Sequence, residues 1–109
     1  MLFATIEHSG THRTIGLLRL KPRPLDEEHW PCAHPEEFTL FSHLDDLSMP
    51  LVLDAAERMP ILTTYRDPAA IRASWERRGK SIEMLNRQFA NYARLLEFRP
   101  YVLHLGRPE

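Results

Sequence analysis

Hydroxyl residues, a glycine and basic side chains follow the first apolar run of the chain. Residues 2–7 alternate as a β-strand does, and positions 8–14 then read His-Ser-Gly-Thr-His-Arg-Thr. A strand that turns tightly into a helix directs backbone N–H groups and the positive end of the helix dipole towards one point. Hydroxyl donors beside that point suit a phosphate or sulfate. The candidate anion ligands are Ser9, Gly10, Thr11, His12, Arg13 and Thr14.

A second segment repeats this strand-to-helix layout with an arginine at the turn. The β-branched run 61–65 leads into Arg66, Asp67 and Pro68, and a helical pattern follows. Asp67 is typical of a helix N-cap, and Pro68 suits the first helical position. Ser74 lies eight residues after Arg66, about two turns into the helix. We expect Arg66 and Ser74 to bind one anionic group together.

Together the two segments resemble the sulfotransferases that use 3'-phosphoadenosine 5'-phosphosulfate (PAPS). The first motif of that family, roughly Lys-Ser-Gly-Thr-Thr, binds the 5'-phosphosulfate, and residues 9–11 match its Ser-Gly-Thr. Its second motif, Arg-x-Pro with a serine eight residues after the arginine, binds the 3'-phosphate and matches Arg66, Pro68 and Ser74. The resemblance implies that the chain binds PAPS or its product, adenosine 3',5'-bisphosphate.

The resemblance also implies two catalytic positions. His43 ends the apolar run 39–43, where the family has Lys-Thr-His with the histidine as general base. His8 stands where the family has a lysine that stabilises the leaving group, and a neutral imidazole lacks that fixed charge. The implied reaction is sulfuryl transfer to a hydroxyl or amine acceptor. The alternative is a catalytically inactive nucleotide- or protein-binding domain that keeps the same fold.

Length and composition set limits on these interpretations. A chain of 109 residues with 43% hydrophobic residues favours a single sulfotransferase-like domain over residues 1–109. The net charge of −1 gives no indication of a nucleic-acid partner or an anionic membrane surface. No apolar run approaches the roughly 18 residues of a membrane helix, and the N-terminus enters a strand without a signal-peptide pattern. With Cys32 as the single cysteine, we expect a cytoplasmic protein without disulfides.

The apolar pattern predicts an α/β fold, a small three-layer P-loop-like architecture with a four-stranded parallel sheet. The expected strands are residues 2–7, 39–43, 61–65 and 101–105, in the spatial order 2-3-1-4. A helical stretch over residues 68–98 should break near Gly79. An open sheet edge or face would allow a homodimer. A nucleotide hydrolase is disfavoured because the G-x-x-x-x-G-K-[ST] loop lacks its first glycine and its lysine here.

The proline-rich segment 21–37 should form an extended loop. Within it Trp30 either covers a ligand or anchors the loop to the core. His29, Cys32 and His34 fit no standard four-ligand zinc spacing, so no metal is expected.

Overall fold

A five-stranded sheet, in which every pairing is parallel, organises the computed structural model, which describes residues 1–105. The strands are β1 (Leu2–Thr5), β2 (Arg23–Pro24), β3 (Leu40–His43), β4 (Ile61–Tyr65) and β5 (Tyr101–His104). The helices are α1 (Thr11–Leu17), α2 (Met49–Ala56), α3 (Pro68–Arg77) and α4 (Ile82–Leu96), with a 3₁₀ turn at Pro35–Glu37. The predicted α/β class and the parallel sheet are confirmed.

The expected strand order is wrong, because β1 lies at the centre of the sheet. The observed order is β2-β3-β1-β4-β5. The four expected strands correspond to β1, β3, β4 and β5, so numbered one to four along the chain they lie in the order 2-1-3-4 in place of the expected 2-3-1-4. The additional strand β2 lies at one edge of the sheet. All four residues of β1 are buried, whereas Tyr65 at the end of β4 is exposed, and the more apolar strand occupies the centre. After β1 the chain forms β2 and β3 on one side of that strand, and it then forms β4 and β5 on the other side. The carboxyl end of β1 is therefore the reversal point, where open α/β sheets bind ligands.

Helices flank both faces of the sheet. Successive residues of a strand point to opposite faces of the sheet. Ala4 of β1 belongs to the core that includes residues of α2, α3 and α4. The next residue, Thr5, points to the other face, where its hydroxyl lies within hydrogen-bond distance of Thr11 of α1. The α1 face has the lighter cover, and Leu17 on this helix is 64% exposed. Within residues 1–105, no helix has the length and hydropathy needed to cross a membrane.

The helical stretch after β4 begins and breaks as predicted. Asp67 caps α3 by accepting a hydrogen bond from the N–H of Ala69 at 3.0 Å. The break lies between α3 and α4, where Gly79 adopts a left-handed φ of 65°. Ser81 then caps α4 through the N–H of Met84 at 3.3 Å. These caps fix the direction of the two helices beside the carboxyl end of β1.

The segment 21–37 follows the surface, and Trp30 anchors it to the core. The Trp30 side chain is buried, and its Nε1 donates to Asp54 of α2 at 2.7 Å. The segment also supplies β2, a short edge strand that the sequence did not predict. Trp30 is thus an anchor and lines no part of the cleft described below.

Candidate functional site

A cleft of about 450 Å³ opens at the carboxyl end of β1. It brings together eight of the predicted site residues: His8, Gly10, Thr11, His12, Arg13, His43, Arg66 and Ser74. Three further residues line it: Glu7, Arg78 and Lys80. Segments far apart in sequence therefore meet at the reversal point of the sheet.

Two predicted ligands, Ser9 and Thr14, do not line this cleft. The Ser9 side chain is buried, and its Oγ donates to the carbonyl of Ile6 at 2.6 Å and lies 2.9 Å from Thr64 Oγ1. Thr14 is fully buried, and its Oγ1 donates to the Gly10 carbonyl at 3.0 Å. Both hydroxyls hold the turn in shape and are already occupied by protein groups.

The turn between β1 and α1 depends on left-handed backbone conformations. His8 has φ 66° and Gly10 has φ 96°. A Cβ added at Gly10 would displace the terminal methyl of the flexible Leu105 side chain, but the left-handed φ is the main reason that this position favours glycine. The N–H groups of residues 11–13 lie in the first helical turn, where no earlier carbonyl of the helix can accept from them. All three of these residues line the cleft.

Arg66 ties the end of β4 to this turn. Its Nη1 donates to the His8 carbonyl at 3.0 Å, across 58 positions of sequence. Within residues 1–105 it forms no ion pair, so no carboxylate there neutralises its charge. Ser74, buried on α3, lines the same cleft. The two residues therefore lie on one face with the loop, as the sequence predicts, and their binding role remains a prediction.

Both histidines carry a buried ring nitrogen without a hydrogen-bond partner in the described part of the chain, Nε2 in His8 and Nδ1 in His43. Burial lowers the pKa of His43. Burial also lowers the pKa of His8, and the positive charges of Arg78 and Lys80 lower it further. Both rings are therefore neutral near pH 7. A neutral ring suits proton acceptance by His43, but it gives His8 no fixed charge.

Positive charge dominates the lining of the cleft. Arg13, Arg66, Arg78 and Lys80 line it, and Glu7 is the one carboxylate among the described lining residues. Lys80 Nζ lies 2.9 Å from Glu7 Oε2. Partial burial by itself would raise the pKa of Glu7, but the hydrogen bond from Lys80 and nearby positive charge hold that pKa below its ordinary value. Since the whole chain has a net charge of −1, this positive character is local.

Sequence reasoning missed Arg78 and Lys80. The available signal was a basic run over residues 77–80 around the predicted helix break. That run does not by itself indicate a place in the cleft, because nothing local in the sequence shows which distant segment it faces.

A second groove, of about 610 Å³, adjoins the cleft at Glu7. It lies between the loop after β3 and the start of α4, and its lining includes the exposed apolar side chains of Leu47 and Met84. The groove leaves space for an apolar group beside the cleft.

The proline-rich segment does not bring His29, Cys32 and His34 together as ligands within the described residues. Asp26, Glu28 and His29 do lie close enough to face one cation. The Asp26 carboxylate, however, already accepts hydrogen bonds from the N–H groups of Glu28 and His29 and lies 2.8 Å from His29 Nδ1. These contacts describe a capped turn.

No protein-family model, curated protein or solved structure matches this chain. The interpretation of the cleft therefore depends on the chain's own residues and on the two motifs described above.

Proposed function

We propose that the cleft binds a nucleotide with phosphate groups at both ends of its ribose, PAPS or adenosine 3',5'-bisphosphate, and that the chain is a small sulfotransferase-like protein. The supporting observation is the convergence of two motifs, since Arg66 bonds to His8 across 58 positions and both line the cleft with Ser74. The volume of about 450 Å³ lies within the roughly 300–1,000 Å³ usual for small-molecule sites.

The two motifs divide the proposed ligand between them. The first-turn N–H groups of residues 11–13, with the side chains of His12 and Arg13, would bind the 5'-phosphosulfate end. Arg66 and Ser74 would bind the 3'-phosphate, because an arginine forms strong charge-assisted hydrogen bonds to phosphate oxygens. Ser9 and Thr14 would contribute by holding the turn, since their hydroxyls are bonded inside the protein.

His43 is the proposed general base for sulfuryl transfer. PAPS, when bound, would supply the sulfuryl group, with its sulfur–oxygen bond to the phosphate broken as sulfur bonds to the acceptor oxygen or nitrogen. His43 would take the proton that the acceptor loses. Burial supports this role because it lowers the pKa of His43 and keeps the ring neutral near pH 7.

A second candidate function is nucleotide binding without transfer. The observation that favours it is His8, whose pKa is lowered by burial and by nearby cations, so that it is neutral where the family has a charged lysine. An uncharged ring gives a departing phosphate less electrostatic stabilisation. The site would then hold the bisphosphate and lack turnover.

Three companion proposals rest on the sequence and on the resemblance. The fold is proposed to be P-loop-like, because its first strand leads through a tight turn into a helix at the ligand edge. A cytoplasmic location follows from the single cysteine. Homodimer formation follows from the open edges of the sheet.

Calorimetric titration with adenosine 3',5'-bisphosphate tests the proposal. We expect saturable binding to the native chain, and Arg66→Ala should weaken it by about 2 kcal/mol, the scale of a lost charge-assisted bond. Arg72→Ala is the matched control, because Arg72 is an exposed arginine of α3 that bonds to Asn86 and lies outside the cleft. Thermal melts of each variant establish that the fold is kept. Absence of binding, or equal affinities for the native chain and Arg66→Ala, would contradict the proposal.

A further inference from the structure

The linker between α3 and α4 places two cations in the cleft. Lys80 Nζ lies 2.9 Å from Glu7 Oε2, a residue 73 positions earlier in the chain, and Arg78 lines the same cleft. The Lys80 side chain is 40% exposed, so it can reach a ligand in the cleft. Lys80 Nζ also lies 5.4 Å from the centre of the Trp75 ring, which limits where it can move.

These two cations lie beside His8, the residue of the β1–α1 turn that carries no fixed charge. The buried Nε2 of His8 has no partner among the described residues. Lys80 and Arg78 are close enough for their charges to act on that ring. Cations beside a neutral imidazole, in a cleft whose described lining has one carboxylate, give the cleft a positive potential that attracts anions.

We propose that Lys80, assisted by Arg78, binds the phosphate or sulfate oxygens of the ligand and supplies from the α3–α4 linker the fixed positive charge that His8 does not carry. The nucleotide identity of the ligand rests on the proposed function, whereas the oxyanion site itself does not. Lys80 is thus an anion-binding residue that reaches the cleft from a distant part of the sequence.

Glu7 holds Lys80 in position while opposing an anion. Its backbone is fixed from two helices, since its carbonyl accepts from Trp75 Nε1 at 2.9 Å and its N–H donates to Gln88 Oε1 at 3.0 Å. The carboxylate therefore stays beside Lys80 and repels any oxyanion that approaches. Substituting Lys80 and substituting Glu7 should consequently change anion binding in opposite directions.

The first test uses the fact that the chain has only two lysines, Lys21 and Lys80. An amine-acylating reagent is applied with and without inorganic pyrophosphate, and separately with and without adenosine 3',5'-bisphosphate. Peptide mass spectrometry then gives the acylation rate at each lysine. We expect either compound to slow acylation at Lys80 in a saturable manner. The exposed Lys21, which lies outside the cleft, is the internal control and should react at an unchanged rate.

The second test is a set of matched variants titrated with the same two compounds. Lys80→Gln should weaken binding about tenfold or more, as expected for a lost hydrogen bond to a charged group. Lys21→Gln should leave the affinity unchanged, and Glu7→Gln should tighten it because it removes the carboxylate that repels the anion. The double variant Glu7→Gln/Lys80→Gln should bind more weakly than Glu7→Gln alone, which separates loss of the lysine contact from exposure of an unpaired carboxylate.

The outcomes distinguish this inference from the proposed function. Protection of Lys80 by pyrophosphate without any binding of the bisphosphate would support the oxyanion site and reject the nucleotide. Binding of the bisphosphate with no protection of Lys80 and no loss of affinity in Lys80→Gln would overturn the role of Lys80 and leave the nucleotide proposal intact. If neither compound slows acylation at Lys80, the oxyanion site is overturned.

Discussion

Two imidazole rings line one cleft, and their surroundings suit different tasks. The His43 ring packs edge-on against Phe41 at 4.9 Å, and burial lowers its pKa, which favours a proton acceptor. The His8 ring packs edge-on against Trp75 at 6.1 Å and lies among cations, which also favours the neutral form. Neutrality helps a base but does not help a group that must stabilise a departing phosphate.

Substitutions at these two positions decide whether the chain transfers a sulfuryl group. His43→Ala should lower the rate of transfer from PAPS by about 10²-fold or more, the usual scale for a general base. His8→Lys should keep or raise the rate because it restores a fixed charge. His34→Ala, an exposed histidine of the proline-rich segment, is the control and should have no effect.

The rate is measured against a panel of hydroxyl and amine acceptors. Bisphosphate binding combined with a transfer rate at background for every acceptor would reject the catalytic proposal in favour of the binding-only alternative.

The site residues show what a sequence can and cannot reveal. Arg66 and Ser74 were predictable because a capped helix after a strand fixes their positions relative to each other. The sequence predicts that Ser9 faces a ligand, but its hydroxyl points into the protein and donates a hydrogen bond to the Ile6 carbonyl. Lys80 was not predictable, because its position depends on how α3 and α4 pack across the sheet.

At the scale of secondary structure, the predicted elements are those with a strong local pattern. The strands at 39–43 and 61–65 were found because their apolar and β-branched residues form short, bounded runs. The edge strand β2 was missed because both of its residues are exposed and one is Pro24. The Arg23 N–H donates to the carbonyl of Thr39, just before β3, and the Leu25 N–H donates to Phe41 in β3, so the proline lies where no N–H is required.

Gly10, which precedes α1, and Gly16, which lies inside it, allow a matched test of the turn between β1 and α1. Gly10→Ala should reduce the free energy of unfolding by more than about 1 kcal/mol, because a left-handed φ strains an alanine and the end of the Leu105 side chain would also have to move. Gly16→Ala should raise it by roughly 0.5–1 kcal/mol, because Gly16 lies inside the helix with open space around it. Urea denaturation measures both. Equal effects of the two substitutions would contradict the described geometry of the turn.

At the scale of the whole molecule, the partly buried histidines make stability depend on pH. Burial lowers the pKa of His43 in the folded chain, whereas the unfolded chain titrates near the ordinary value of 6.5. Between these two values the unfolded state binds more protons than the folded state. Stability is therefore complete above the ordinary pKa and decreases as pH falls towards the folded pKa. Carboxylates with a lowered pKa, such as Asp46, change the stability only at lower pH, below about 4.

Urea midpoints at about pH 7.5 and about pH 5.5 measure this dependence. The native chain should lose stability between the two conditions, and His43→Gln should lose less because a glutamine does not titrate. The prediction fails if the two proteins have the same pH dependence.

The parallel sheet has a further consequence, for the order of events in folding. Within residues 1–105, no strand pairs with a neighbour through a hairpin, and the contacts that build the cleft join residues 58 and 73 positions apart. Long loops must close before such contacts form, so folding should be slow for a chain of this size. The two walls of the cleft also meet only when most of the chain is in place. A ligand of the cleft should therefore bind only after the entire fold is complete, and by mass action it should stabilise the folded state.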